Sequence, residues 1–364
     1  MKLVADSGLW SIGLPVAPAP LVAVLEVSGA VLSWTLDDDT GAAQITFTDL
    51  ARADWLWRVL GESGHHAVAA ALDGRRPDGT IELAGVGLLP GSVDRLRRLA
   101  LGHWLRRWWP ASHRDGIAAL DAALLDAEVA LLTAAAQDFF SDDTFDSDVA
   151  GLLAPHAAAL NGHVLGGDPR VTELVRAATD LVDDDGIAVV ESAPVTTRRD
   201  DYALAAGPDL RPRTSAAIAQ GTSSLNWSAV PPAIFDAAEN TVAWRVEAAG
   251  SGATATVGVE LTGAGSASGI AVRLRSGTIS GAGVLDHDGQ ATFPLVDTQQ
   301  QRITEMAAWD HDWRTVAVTV GADLKDSVES PQTRQRIREF ARARLAEPAG
   351  DAFLAEILAA ESDY

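Results

Sequence analysis

Between Thr241 and Val320 the apolar residues fall at alternate positions in six short runs, and this spacing constrains the fold more than any other feature of the chain. The runs are Thr241 to Val246 (TVAWRV), Ala253 to Leu261 (ATATVGVEL), Ile270 to Leu274, Thr278 to Leu285, Gln290 to Leu295 and Arg314 to Val320. Period two sends successive side chains to opposite faces of a strand, so one face can be buried while the other meets solvent. Glycine-rich joints between the runs provide the turns, and the whole predicts an antiparallel β-sandwich over residues 236–323.

Earlier residues follow a mixed rule. Leu21 to Val27, Ala30 to Leu36 and Gln44 to Thr48 are β-rich, separated by Ser28-Gly29 and the acidic turn Asp37-Asp38-Asp39-Thr40-Gly41, as in a meander or hairpins. Helical spacing is carried by Leu50, Trp55, Trp57 and Leu60, and by Ser92 to Trp109, where Ser92 is the expected cap. Ile117, Leu120, Leu124, Leu131 and Leu132 predict one long helix from Asp115 to Phe140, and a further helix from Pro169 to Leu181 is stopped by Asp183-Asp184-Asp185-Gly186. Five of the 16 prolines fall between Pro194 and Pro232, which marks a linker. Near the end, Pro331 to Leu345 is amphipathic, with Ile337, Phe340, Ala341 and Leu345 on one side and arginines on the other, and a short acidic tail helix follows.

At 364 residues, two or three domains are expected. The reading is an α+β protein: an N-terminal mixed α/β region (1–110), a central helical section (111–193), a linker (194–235), the sandwich (236–323) and C-terminal helices (324–364), one of which closes the sandwich. The segment GTISGAGVLDHDGQATFPL, Gly277 to Leu295, resembles the strand, Asp-x-Asp-Gly turn, strand unit of transthyretin-like and carboxypeptidase-regulatory-type sandwiches. The resemblance implies an accessory or binding module and no chemistry of its own.

Charge narrows the partners. Acids outnumber bases 50 to 28, for a net charge of −22, a field that repels phosphate backbones and anionic lipid. The stretch GHWLRRWWPASHR (Gly102 to Arg114) runs against this field. On a helix, Leu101, Trp104, Leu105 and Trp108 share one sector, Arg95, His103 and Arg106 face away, and Arg107 and Trp109 lie at the margins. Burial of two indoles contributes several kcal/mol at roughly 25 cal/mol per Å² over about 200 Å² each, against about 1 kcal/mol for an exposed ion pair. Packing therefore turns the rings inward, and no nucleic-acid platform is expected. The arginines Arg95, Arg97, Arg98, Arg106, Arg107 and Arg114 are expected to meet the adjacent base-free segment (Asp115, Asp121, Asp126, Glu128, Asp138, Asp142, Asp143, Asp146, Asp148, Asp168), within one molecule or between copies; a solvated face is the alternative. Arg334, Arg336, Arg338, Arg342 and Arg344 of the late helix are expected to dock on the protein's own acidic surface.

Sequence signals of catalysis fail one by one. Cysteine is absent, so there are no thiolate nucleophiles or thiolate-metal sites. Gly265-Ser266-Ala267-Ser268-Gly269 has Ala where a nucleophile belongs, and neither Lys2 nor Lys325 follows a phosphate-binding loop. Asp286-His287-Asp288 and Asp310-His311-Asp312 invite a metal, but an extended tripeptide splits its ligands between two faces, and Gly289 gives the first a turn role. His65-His66 read as a loop pair. No cofactor or metal is expected. MKLVADSGLWSIGLPVAPAP lacks the apolar run of a signal peptide, so a cytoplasmic location is the default expectation.

The functional expectation is a non-catalytic interaction or assembly component, contacting other proteins or further copies of itself, with no nucleic acid and no membrane. Two alternatives stay open: a hydrolase using Asp310, His311 and Asp286, and a carbohydrate or peptide module presenting Trp309 and Trp313.

Overall fold

The structure, a computed structural model, describes residues 1–38, 41–137, 139–140, 149–184, 217–263, 265–324 and 329–362. Residue 39 of the acidic turn, Asp138, Asp142, Asp143, Asp146 and Asp148 of the acidic segment, and the linker up to residue 216 lie outside the described residues. The described parts of Met1–Trp109, Leu120–Glu191 and Ser330–Tyr364 form one compact unit, and those of Pro110–Ala119 and Ser192–Glu329 form a second. Both helices and antiparallel sheets are present, so the chain is α+β. Its units are interleaved along the sequence. The boundary expected at residue 110 corresponds to a ten-residue excursion into the second unit, and the C-terminal amphipathic helix expected to close the sandwich belongs to the first.

The first unit opens with β1 (Lys2–Asp6), β2 (Leu9–Ile12), β3 (Val22–Val27), β4 (Ala30–Thr35), β5 (Gln44–Phe47), α1 (Trp57–Leu72) and β6 (Thr80–Glu82). They are followed by α2 (Asp94–Trp108), α3 (Ala122–Gln137), α4 (Val149–Leu153), α5 (Ala157–Leu165) and α6 (Pro169–Asp184). The six strands form one antiparallel sheet in the order β3-β4-β5-β2-β1-β6. Strand register puts Leu3, Trp10, Ile12, Leu32, Trp34, Ile45 and Phe47 on one face, all buried, as alternation requires. Helix α2 packs on β3. Gly29 makes the β3–β4 turn at φ +71°, and a Cβ there would stand 2.1 Å from the Asp49 carbonyl oxygen, so only glycine fits.

Several local expectations are corrected. The helix expected from the spacing of Leu50, Trp55, Trp57 and Leu60 starts at Trp57, after two 3-10 turns; Trp55 there donates its indole N–H to Ser28 O at 2.7 Å. His65 and His66 lie on α1, their rings stacked 6.0 Å apart, and not in a loop. Ser92 does not cap α2: its hydroxyl donates to Leu89 O at 2.7 Å, and Val93 occupies the cap position without a side-chain bond. The long helix starts at Ala122, not Asp115. Ser112 and Ile117 instead pair as a β-bridge around Gly116 at φ +62°, while the Asp121 carboxylate accepts the N–H groups of Ala123 and Leu124 at 2.9 and 3.0 Å.

The second unit holds β7 (Ala219–Ser223), β8 (Val242–Ala249), β9 (Gly252–Val259), β10 (Ala271–Ser276), β11 (Ile279–Val284), β12 (Gln290–Pro294), α7 (Glu305–Asp310) and β13 (Ala317–Val320). They form a four-stranded sheet, β12-β9-β8-β7, and a three-stranded sheet, β11-β10-β13, both antiparallel. Strand β7 falls in the stretch read as linker, because AQGTS has no large apolar residue to betray it. The two strands of Gly277 to Leu295 belong to different sheets. Phe293 of β12 fills the room left by Gly281 and Gly283 of β11, where an added Cβ would come within 2.7 Å of its ring. Helices α8 (Pro331–Ala346) and α9 (Leu354–Ser362) complete the first unit.

Candidate interaction surfaces

On α2 the apolar sector is buried: Leu99, Leu101 and Leu105 are 4% exposed or less, and Trp104 is 3% exposed. The Trp104 indole N–H donates to Pro20 O at 2.7 Å, and its ring meets Phe340 edge-on at 5.6 Å. Trp108, placed by its spacing in the same sector, is only half-buried, because it sits in the last turn and takes the Arg107 guanidinium over its ring at 4.3 Å.

The basic edge reaches α3 at two points. Arg106 Nε lies 2.5 Å and Nη2 3.3 Å from the two Asp126 carboxylate oxygens, and Arg98 Nη2 donates to Glu128 Oε1. Asp126 also accepts His156 Nε2 at 3.0 Å, and His163 Nε2 lies 2.8 Å from Asp121 Oδ2. Arg97 reaches Asp351 at 3.5 Å, and Arg95 is exposed. Arg114 pairs outside the acidic segment. In the second unit its guanidinium donates to Glu260, while the backbone around it is held by the buried Asp236 carboxylate, which accepts Ser112 Oγ at 2.7 Å, His113 N at 2.8 Å and Ala238 N at 2.9 Å.

These surroundings shift three ionisations. Burial opposes the charge on Asp126, yet the hydrogen bonds and charges of His156 and Arg106 outweigh it and hold the carboxyl below its ordinary range. At Glu128 burial wins. Its pKa is raised despite the Leu354 N–H and Arg98, with Glu356 adding to the rise. Burial lowers the His103 pKa, and the Arg106 charge adds to the effect against the opposing pull of Asp126, so the neutral imidazole is favoured.

The arginine row on α8 turns inward. Arg334, Arg338 and Arg344 are buried at 7–8% exposure, whereas Arg342 is exposed and Arg336 donates to Asp37 Oδ2 at 2.5 and 3.0 Å. Arg344 grips the fully buried Glu356 with two bonds of 2.5 and 2.8 Å and Asp351 with a third of 3.0 Å. Arg334 and Arg338 are therefore withheld from any outside partner. The Arg side chains bury their long stems along the same stripe as Ile337 and Ala341.

In the second unit, α7 carries the large exposed apolar residues Met306 (75%) and Trp309 (50%), while Ala308 on its other side is fully buried. Trp313 is half-buried: its N–H donates to Ala308 O at 2.8 Å and its ring meets His311 edge-on at 4.7 Å. His311 Nε2 is 2.9 Å from Ser276 Oγ at the end of β10, and Asp286 follows the far end of β11. The six residues of β11 between them span roughly 17 Å, so Asp286, His311 and Asp310 do not converge. Arg314 holds Asp312 down to about 2.

Asp286, His287 and Asp288 are all exposed, with ligand atoms within 4.8 Å of one another. The Asp286 carboxylate braces its own turn, accepting Asp288 N at 3.0 Å and Gln290 N at 2.8 Å, with Gly289 at φ +73°. Asp297 does the same for Gln299 and Gln301 at 2.8 and 3.0 Å.

Compared with known proteins, the chain matches no family model, no curated protein and no solved structure. Among the described residues, no helix is long and apolar enough to cross a membrane. Sequence reasoning missed Met306, Asp236, Asp351, Phe353 and Glu356, which occupy no recognisable motif; Asp236 acquires its role through the Ser112 hydroxyl and main-chain N–H groups, and the last three through Arg344 and Arg98 of other helices.

Proposed function

We propose that this chain is a non-catalytic interaction or assembly component, an accessory or scaffold subunit of a cytoplasmic complex that contacts other proteins. The observation that carries this reading is α7, on which Met306 and Trp309, three residues apart and so on one side of the helix, stand 75% and 50% exposed. Large apolar side chains held together at a surface mark binding sites in soluble proteins, and Met and Trp are among the residues that interfaces favour. The acids and bases that could serve chemistry are engaged elsewhere: Asp126 with Arg106 and His156, Glu356 with Arg344, Asp236 with backbone N–H groups. In this reading α7 supplies the apolar anchor, and exposed charges such as Arg95, Glu305 and Asp310 form the polar rim of contacts in their own units.

Photo-crosslinking tests it. A crosslinking amino acid at position 306 of the full chain in its native cells is expected to yield adducts of defined protein mass, absent when the same residue stands at His66. Equal labelling from both positions would overturn the reading.

A further inference from the structure

Helix α5 has little apolar surface to hold it in place. Of its nine residues only Leu160 is buried; Ala158, Ala159, Asn161 and Gly162 face solvent, and Leu165 at its end is 89% exposed. A helix this short does not stand on its own propensity, so its position depends on what it grips. On α3 that grip is ionic and rests on histidine. His156, the residue before α5, has Nε2 3.0 Å from Asp126 Oδ2, and His163, in its last turn, has Nε2 2.8 Å from Asp121 Oδ2. The two histidines lie about two turns apart on the side of α5 turned to α3, and they meet its carboxylates in reverse order along that helix. Asp121 is itself fixed, because its other oxygen accepts the Ala123 and Leu124 N–H groups at the start of α3.

The neighbouring charges are accounted for. Asp126 also holds Arg106, and His103 of α2 stands in the field of both. Helix α4 carries no charged residue. On α6, which packs against α5, Arg170 is bonded to Asp168 and Glu361, while Glu173, Arg176 and Asp180 are exposed. Imidazole is the side chain that changes charge between about pH 5 and pH 8. The Asp126 carboxyl, held below its ordinary range by His156 and Arg106 against the cost of burial, stays ionised across that window. We propose that α5 is a pH-sensitive joint: in mild acid the imidazolium forms of His156 and His163 fasten it to Asp126 and Asp121 of α3, and loss of their charge as pH rises loosens it and uncovers Leu160. A neutral imidazole keeps an N–H···O bond but gives up the charge assistance that roughly doubles its strength. The two pairs contribute unequally. His163 stands at the end of α5 where the helix dipole favours a cation, whereas His156 stands at the opposite end and shares its carboxylate with Arg106.

Amide hydrogen exchange of the full chain, corrected for the intrinsic change of rate with pH, tests the joint. Protection of residues 157–165 relative to α3 is expected to fall by about two- to fivefold for each pair as pH rises, a small factor because both pairs are partly exposed. In the double variant His156→Gln, His163→Gln, which keeps neutral donors, protection is expected to be low and independent of pH; His163→Gln alone is expected to remove the larger share of the response. Protection that is constant with pH in wild type, or that changes equally in the double variant, would overturn the proposal. A second readout keeps both histidines. The chain has no cysteine, so Leu165→Cys takes a spin label at one place only. The label's mobility is expected to rise over the same pH range, and an unchanged spectrum would contradict the joint. Trp309→Ala is expected to leave both results as they are, which separates this inference from the role proposed for α7.

Discussion

Arg106 Nε lies 2.5 Å from Asp126 Oδ1, joining α2 to α3 through a carboxylate that also takes His156. Asn at position 126 keeps the shape but leaves Arg106 and His156 facing a neutral amide. Arg106 is 34% exposed and partly screened, so the cost is set mainly by the buried partner. Asp126→Asn is expected to destabilise the chain by about 1–3 kcal/mol, read as a lower urea midpoint by circular dichroism; an unchanged midpoint would show that the pair adds nothing to stability.

The same carboxylate predicts a pH response. Its folded pKa lies below the unfolded value of about 3.9, so its contribution is present above that value and is lost as pH falls through the folded pKa. The stability gap between wild type and Asp126→Asn is therefore expected to be full at pH 7 and to close in strong acid. Urea midpoints of both proteins across this range check it. Glu128, with its raised pKa, acts in the opposite sense: its charged form is disfavoured in the fold, a penalty that grows as pH rises through the unfolded pKa and is complete above the folded one.

Gly102→Ala sets two effects against each other. Alanine gains about 1 kcal/mol of helix propensity, but its Cβ would lie 2.6 Å from Val129 Cγ2 and 2.9 Å from the Phe353 ring. Overpacking of this kind costs about 1–3 kcal/mol, and both neighbours are buried, so destabilisation is expected. Amide hydrogen exchange should rise first in residues 351–356.

Asp236 is 2% exposed and accepts bonds from a hydroxyl and three N–H groups in the second unit. In Asp236→Asn the new amide N–H₂ must face at least one of those donors. A loss of about 1–3 kcal/mol is expected, measured by thermal unfolding, with faster exchange in residues 110–119.

Much of the architecture was legible because period two and the three-to-four spacing are local signals. β8 to β12, α6 and α8 begin within about two residues of the runs that announced them. Short edge strands such as β6 and β7 carry too few apolar residues for any pattern and are fixed by their neighbours in the sheet. Interleaving was illegible for a different reason: Ser330 opens a segment whose packing partners, such as Trp104 for Phe340 and Asp37 for Arg336, are distant in sequence. Side-chain direction on α2 followed amphipathicity for Trp104 and Arg106, but α8 defied it. Burying three arginines beside Ile337 depends on acids such as Glu356, which no helical pattern of α8 itself contains.

The most direct test of the role proposed for α7 is quantitative affinity capture of the full chain from its native cells, run beside a Met306→Ser, Trp309→Ala variant with unchanged melting temperature. At least one protein recovered in constant ratio to wild type is expected to be lost from the variant and retained by Asp126→Asn. Recovery of the same proteins with both baits would contradict an interaction role for that helix.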